Sequence, residues 1–238
     1  GSGKTTTLYS CLREIDLEQR NAITIEDPVE YSIEGCTQIP VSSDEGNSFA
    51  NLLRSVLRQD PDVIFVGEIR DIETASVAMQ ASMTGHLVFS TVHSKDSIGA
   101  IFRLLDLGVE AYLVANALNM IVAQRLIRTL CSKCKRPFQP TPPQAMRMGK
   151  SVGGVPYIYT PVGCKRCLRT GFIGRRAIFE LLEVTDAIRD LILKTPTIQG
   201  IRAQAEQGHF VTLHKAGYQL VADGITSIDE IDRVATGD

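Results

Sequence analysis

Gly1-Ser2-Gly3-Lys4-Thr5-Thr6 opens the chain, and its reading decides what the residues after it have to be. GSGKT matches the back half of the phosphate-binding pattern G-x-x-x-x-G-K-[ST]. The first glycine of that pattern and the strand expected ahead of it lie outside the sequence. Gly1 and Gly3 let backbone N–H groups turn inward around a phosphate chain, Lys4 can reach β and γ oxygens, and the Thr5 hydroxyl suits a magnesium ion. Ser2 and Thr6 complete the candidate cradle. Leu8, Leu12 and Ile15 recur at helical spacing, so the loop runs straight into a helix N-terminus that favours anions. So short a remnant also occurs by chance, and its meaning depends on the rest of the chain.

Three further stretches supply carboxylates and a histidine at strand ends. Ala22 to Ile25 is a short apolar strand that stops at Glu26, Asp27 and Pro28. A polar loop follows to about Asn47. Val63 to Val66 is a continuous apolar run of the kind a parallel strand buried on both faces requires, with Gly67 and Glu68 after it. Generic phosphate-loop enzymes place an Asp where Gly67 stands; here the carboxylate comes one residue later. Leu87 to Thr91 is a third strand, with His86 before it and His93 after it, roughly 20 Å apart at ~3.3 Å per residue. Only His93 shares an end with Glu26 and Glu68, the carboxyl end at which open α/β sheets take their ligands. Either histidine is otherwise an ordinary structural residue.

The helices read from caps and periodicity. Ser48 caps a helix with Phe49, Leu52, Leu53, Val56 and Leu57 on one face. Arg54 and Arg58 lie on its other side, where they serve either a nucleotide or simply the solvent. Asp71 caps a helix through Met83, stopped by Gly85. Ser97 to Leu107 and Ala111 to Ile127 are read as two more helices. A strand over Ala177 to Leu182 and three short helices complete the chain, the last opened by the capping box Ser227-x-x-Glu230.

Cys131-Ser-Lys-Cys134 and Cys164-Lys-Arg-Cys167 are two C-x-x-C pairs separated by 29 residues, longer than the commonest metal-site spacing. Four thiolates from two tight knuckles suit a closed tetrahedral zinc; redox chemistry is the alternative, weakened because there are two pairs. Lys133, Lys135, Lys165 and Arg166 would offset the thiolate charge. Pro137 to Gly154 reads as a mobile loop. Cys11 and Cys36 read as unpaired thiols.

Composition narrows the class. Hydrophobic residues at 44% and charged residues at 22% are the values of a globular protein. A net charge of −2 speaks against a general nucleic-acid binder. The longest apolar run, Ala111 to Ala123, falls short of the ~20 residues that cross a bilayer, so no transmembrane segment is expected. Reduced cysteines and the absence of secretory features point to the cytoplasm.

Taken together these motifs resemble the secretion ATPase family, in particular the assembly motors of type II secretion and type IV pili. GSGKTTTLY resembles its Walker A, ITIEDPVEY its Asp box, LRQDPDVIFVGEIRD its atypical Walker B and TGHLVFSTVHS its His box. The four cysteines resemble the zinc element of assembly motors. The resemblance implies an α/β, RecA-like P-loop core over 1–130, a tetracysteine zinc subdomain over 131–180 and a small helical subdomain over 181–238. It implies a homo-hexamer that hydrolyses ATP with magnesium and works at the cytoplasmic face of the inner membrane on a platform protein. Glu26, Glu68, His93 and Arg70 are then the catalytic candidates. Gly1 to Thr6 with Arg54 and Arg58 are candidates for nucleotide binding. Two rivals remain, a zinc scaffold that binds ATP without turning it over and a nucleic-acid translocase on the same core.

Overall fold

The computed structural model describes residues 1–42, 48–149 and 155–235. The end of the polar loop expected up to Asn47 and the end of the Pro-rich segment expected up to Gly154 lie outside the described residues. The chain divides into two compact units, one of Lys4–Ile121 with Leu182–Gly208, the other of Gly1–Gly3, Val122–Leu181 and His209–Asp238. These units cut across the three consecutive segments expected from the sequence, because the chain passes repeatedly from one unit to the other.

In the first unit, α1 (Lys4–Arg13) follows the glycine-rich turn directly and buries Tyr9 and Leu12. β1 (Ala22–Glu26), β2 (Cys36–Pro40), β3 (Val63–Val66) and β4 (Leu87–Ser90) form a parallel sheet in the order β2-β1-β3-β4. β1 and β3 are buried along their whole length; the unbroken apolar run of β3 requires this, while β1 buries Thr24 and Glu26 among its apolar residues. Tyr9, Leu12, Ala22, Ile33, Val63 and Phe65 make one buried cluster of this unit. α2 (Phe49–Val56) starts on Ser48, whose side chain accepts from Asn51 N–H, and α3 (Ile72–Met83) starts on Asp71, which accepts from Thr74 N–H. α4 (Ser97–Asp106) has Asp96 as its cap.

The helix expected over Ala111 to Ile127 is a correction. α5 stops at Ala117 (Ala111–Ala117), and β5 (Met120–Leu130) takes over. The turn is held by Arg189, whose guanidinium donates to the carbonyls of Ala115 (2.6 Å) and Leu118 (3.0 Å). Those carbonyls would otherwise be orphaned at the helix end. Arg189 belongs to α7 (Asp186–Lys194), which packs with α8 (Ile198–Ala205) in the same unit.

In the second unit β5 pairs with β8 (Phe172–Glu183), longer than the strand expected over Ala177 to Leu182. The described residues of the supposed mobile loop carry secondary structure as well. β6 (Arg136–Phe138) pairs antiparallel with β7 (Ile158–Thr160), and α6 (Pro142–Met148) carries a capping box of Thr141 and Gln144. α9 (Leu213–Ala222) and α10 (Ile228–Ala235) finish the unit. Among the described residues four helices therefore follow β8 where three were expected. The capping box at Ser227 is half made: Ser227 Oγ accepts from Glu230 N–H at 3.4 Å, while the Glu230 carboxylate bonds the Arg128 N–H and the Arg128 and Arg233 side chains. Among the described residues no helix is long and apolar enough to cross a membrane.

Candidate functional site

One cavity of about 170 Å³ lies at the carboxyl ends of the parallel strands, and Lys4, Thr5, Glu26, Glu68, Thr91 and His93 are among its lining residues. The topology explains why residues so far apart in the chain meet there. Lys4 and Thr5 begin α1, Glu26 ends β1, and Glu68 and His93 follow β3 and β4 in a sheet whose strands all point the same way. The ends of β3 and β4 are tied together: Ser90 Oγ donates to Val66 O and Thr91 Oγ1 to Gly67 O, each at 2.8 Å, and Ile69 N–H donates to Thr91 O at 2.9 Å.

Gly67, where a generic enzyme has Asp, sits against β1. Its N–H donates to Ile25 O at 2.8 Å, and a Cβ at this position would stand 3.2 Å from the same oxygen. The close approach favours the residue without a side chain and passes the carboxylate on to position 68. Glu68 Oε1 pairs with Arg70, and Glu68 Oε2 lies 3.4 Å from His93 Nε2. The bond to Glu68 raises the pKa of Arg70, so the guanidinium stays charged beside the site.

Glu26 has a different setting. It is 2% exposed. Tyr9 donates to its Oε2, while Thr24 Oγ1 (2.6 Å) and Gln38 Nε2 (3.1 Å) donate to its Oε1. Sequence reasoning missed all three partners. Thr24 carried a signal, since it lies two residues before Glu26 on the same face of β1; Tyr9 and Gln38 carried none.

The other candidates lie elsewhere. His86 is turned to Ala81 O (2.9 Å from Nδ1), at the opposite end of the sheet. There it helps line a larger cavity of about 390 Å³ with Arg20 and Asp62, at the starts of β3 and β4 and away from Glu26 and Glu68. Arg54 is drawn to Glu73 at 2.8 Å, and Arg58 folds back on Arg54 O at 3.0 Å, so neither lines the cavity that Lys4 and Glu68 share. Thr6 lies in α1 outside the lining, and Gly1, Ser2 and Gly3 group with the second unit.

In the second unit the four cysteine sulfurs all lie within 4.8 Å of one another. Three pairs stand at 3.9 Å (Cys131 and Cys164), 3.8 Å (Cys134 and Cys167) and 3.7 Å (Cys164 and Cys167). Zn–S bonds of ~2.3 Å give a tetrahedron with edges of roughly 3.8 Å, so the donor set fits zinc. Each knuckle is shaped by its backbone. Lys135 N–H donates to Cys131 O at 3.0 Å and Arg169 N–H to Cys164 O at 2.8 Å. Gly171 has φ +81, and a Cβ there would come within 2.4 Å of Pro161 Cβ, which keeps this position glycine.

Cys167 Sγ accepts from the N–H groups of Cys164 (3.1 Å) and Gly171 (3.3 Å). Burial works against ionising this thiol, but those donors outweigh it and bring it down to about 6, while burial pushes Cys134 up to about 11. Lys135 does not serve the sulfurs: its Nζ donates to Gly224 O at 2.6 Å and lies over the Tyr159 ring. Cys11 and Cys36 are free thiols.

Comparison with known proteins bears on both sites. A family model described as "Type II/IV secretion system protein" matches residues 1–233. The type II secretion system protein E of Aeromonas hydrophila is 44% identical over 238 residues, covering 100% of this chain and 47% of that protein. The type IV pilus assembly ATPase PilB of Acinetobacter baylyi is 43% identical over 240 residues, covering 99% of this chain and 41% of its own length. The chain thus spans about half the length of these curated relatives. A crystal structure of the pilus retraction motor PilT with bound ADP superposes with a TM-score of 0.72 at 30% identity, covering 100% of this chain and 59% of that one. The fold is α/β, of the RecA-like P-loop type.

Proposed function

Because the chain belongs to the type II/IV secretion system protein family, we propose that it is the motor portion of an ATP-hydrolysing hexamer that drives type II secretion or type IV pilus assembly. The observation that carries this reading is the single cavity lined by Lys4, Thr5, Glu26, Glu68 and His93. The relatives named as ATPases and the ADP bound to the PilT motor support nucleotide turnover.

Phosphoryl transfer is mainly positioning and charge neutralisation. Lys4 holds β and γ oxygens, and His93 senses the γ-phosphate. Glu26 and Glu68 divide the orientation of the attacking water and the support of magnesium. Thr5 and Glu68 are the residues suited to hold magnesium, which when bound spreads the phosphate charge. Arg70 is the guanidinium at hand, and Arg54 and Arg58 face outward, where a neighbouring subunit's nucleotide is the fitting partner.

The tetracysteine cluster binds one structural zinc through Cys131, Cys134, Cys164 and Cys167, leaving no ligand position open for a substrate. It acts as a rigid contact for neighbouring subunits or for an inner-membrane platform protein at the cytoplasmic face.

ATP hydrolysis by the full-length protein, with and without detergent-solubilised platform protein, tests the motor. Lys4→Ala should lose nucleotide binding, and Glu68→Gln should keep nucleotide and lose about 100-fold or more in turnover. A full rate in Glu68→Gln would leave a nucleotide-binding scaffold instead, and stimulation by DNA would indicate a translocase. Elemental analysis should find about one zinc per chain. Cys131→Ser combined with Cys164→Ser should lose the metal and lower the melting temperature.

A further inference from the structure

Glu26 is buried and, among the described residues, its carboxylate is held by uncharged donors, one of which is a tyrosine on a different element. Tyr9 is 0% exposed, with its ring edge-on to Tyr31 (centroids 4.6 Å apart) and to Phe65 (6.3 Å), so it has no room to swing. A phenolic hydroxyl offers one donor and two acceptor lone pairs. Both lone pairs are used, by Glu30 N–H and by Gln38 Nε2, each at 3.3 Å. The Tyr9 proton therefore has one destination, Glu26 Oε2. Burial first, and the carboxylate beside it second, push Tyr9 up to about 12, so it remains a donor throughout the physiological range.

The hydrogen-bond count at Glu26 then becomes informative. An ionised carboxylate has about four lone-pair sites. Thr24 and Gln38 occupy those of Oε1, and Tyr9 takes one on Oε2. One site on Oε2 remains, on a residue that lines the cavity. Tyr9 also stands in α1, the helix that begins with Lys4 and Thr5, so a single turn of helix sets the spacing between the phosphate-binding residues and the carboxylate.

We propose that Tyr9 is the positioning residue for Glu26, fixing the carboxylate from the phosphate-binding helix so that its one free Oε2 lone pair takes the water that attacks the nucleotide. This rests on the reading of Glu26 as a water-orienting carboxylate. Thr24 and Gln38 fix the other oxygen and so prevent the carboxylate from rotating.

The test uses the full-length protein and the variants Tyr9→Phe, Thr24→Val, Glu26→Gln and the double variant Tyr9→Phe/Glu26→Gln. Tyr9→Phe keeps the ring and removes only the hydroxyl. Its kcat should fall by roughly 10- to 100-fold, the scale of a reacting group displaced by up to an ångström. KM for ATP and affinity for a fluorescent ATP analogue should stay close to those of the parent, while the melting temperature should fall by a few degrees for the buried hydrogen bonds lost. Thr24→Val should show the same split between kcat and KM. In the Glu26→Gln background, Tyr9→Phe should cost nothing further.

Unchanged kcat in Tyr9→Phe, with Glu26→Gln inactive, would reduce Tyr9 to a packing residue and overturn the proposal alone. An equal loss from Tyr9→Phe with and without Glu26 would also overturn it, since the effect would not pass through the carboxylate. Full turnover in Glu26→Gln would overturn the reading of Glu26 itself, and the proposal with it.

Discussion

Glu230 shows what one buried carboxylate costs and how it is compensated. It is 1% exposed and accepts from Arg128 N–H (2.9 Å), Arg128 Nη2 (2.6 Å) and Arg233 Nη2 (2.7 Å). Burial alone would raise its pKa, but the two arginines outweigh burial and hold it at about 2. The unfolded chain, with an ordinary Glu near 4.3, binds more protons than the folded one between about pH 2 and 4.5, so stability rises with pH across that window. The contribution, on the order of 3 kcal/mol, is fully present above the unfolded value and disappears as acid protonates the folded carboxyl. Glu230→Gln should destabilise the second unit by roughly 3 kcal/mol at neutral pH and flatten this dependence, as read by denaturant melts from pH 2 to 7. The sequence offered Glu230 only as half of a capping box, because its arginine partner at position 128 lies far away in the chain.

Elements obey local rules until a partner from another element intervenes. Ser48, Asp71 and the unbroken run Val63 to Val66 were legible because a cap and a buried parallel strand are written in adjacent residues. Residues 111 to 130 were not legible. A long apolar stretch suits a buried helix or a paired strand equally, and periodicity alone does not separate them. The chain switches from α5 to β5 where Arg189 takes the last helical carbonyls and β8 offers a strand to pair with. Arg189→Met should leave the carbonyls of Ala115 and Leu118 without their charged donor and cost about 1–3 kcal/mol, measured by chemical denaturation. A loss near zero would mean that the helix end is satisfied without it.

At the scale of the molecule, the cavity holds carboxylates, a lysine and a histidine, but no arginine is among its lining residues. Arg70 is engaged by Glu68, and Arg54 by Glu73. An arginine reaching the γ-phosphate can be worth roughly 10³- to 10⁵-fold in rate. The 238-residue chain alone should therefore hydrolyse ATP far more slowly than the proposed full-length hexamer; equal turnover would show that assembly supplies nothing to the chemistry.

The sequence by itself determined the buried run of β3, the caps at Ser48 and Asp71 and the residue types of both candidate sites, because short motifs carry their chemistry in neighbouring residues. Tertiary structure alone decided that Tyr9 and Gln38 grip Glu26, and that Lys135 turns from the sulfurs to Gly224. It also decided that residues 182–208 return to the first unit. Those outcomes depend on which donors, acceptors and apolar faces meet when distant segments pack, and no local spacing encodes that.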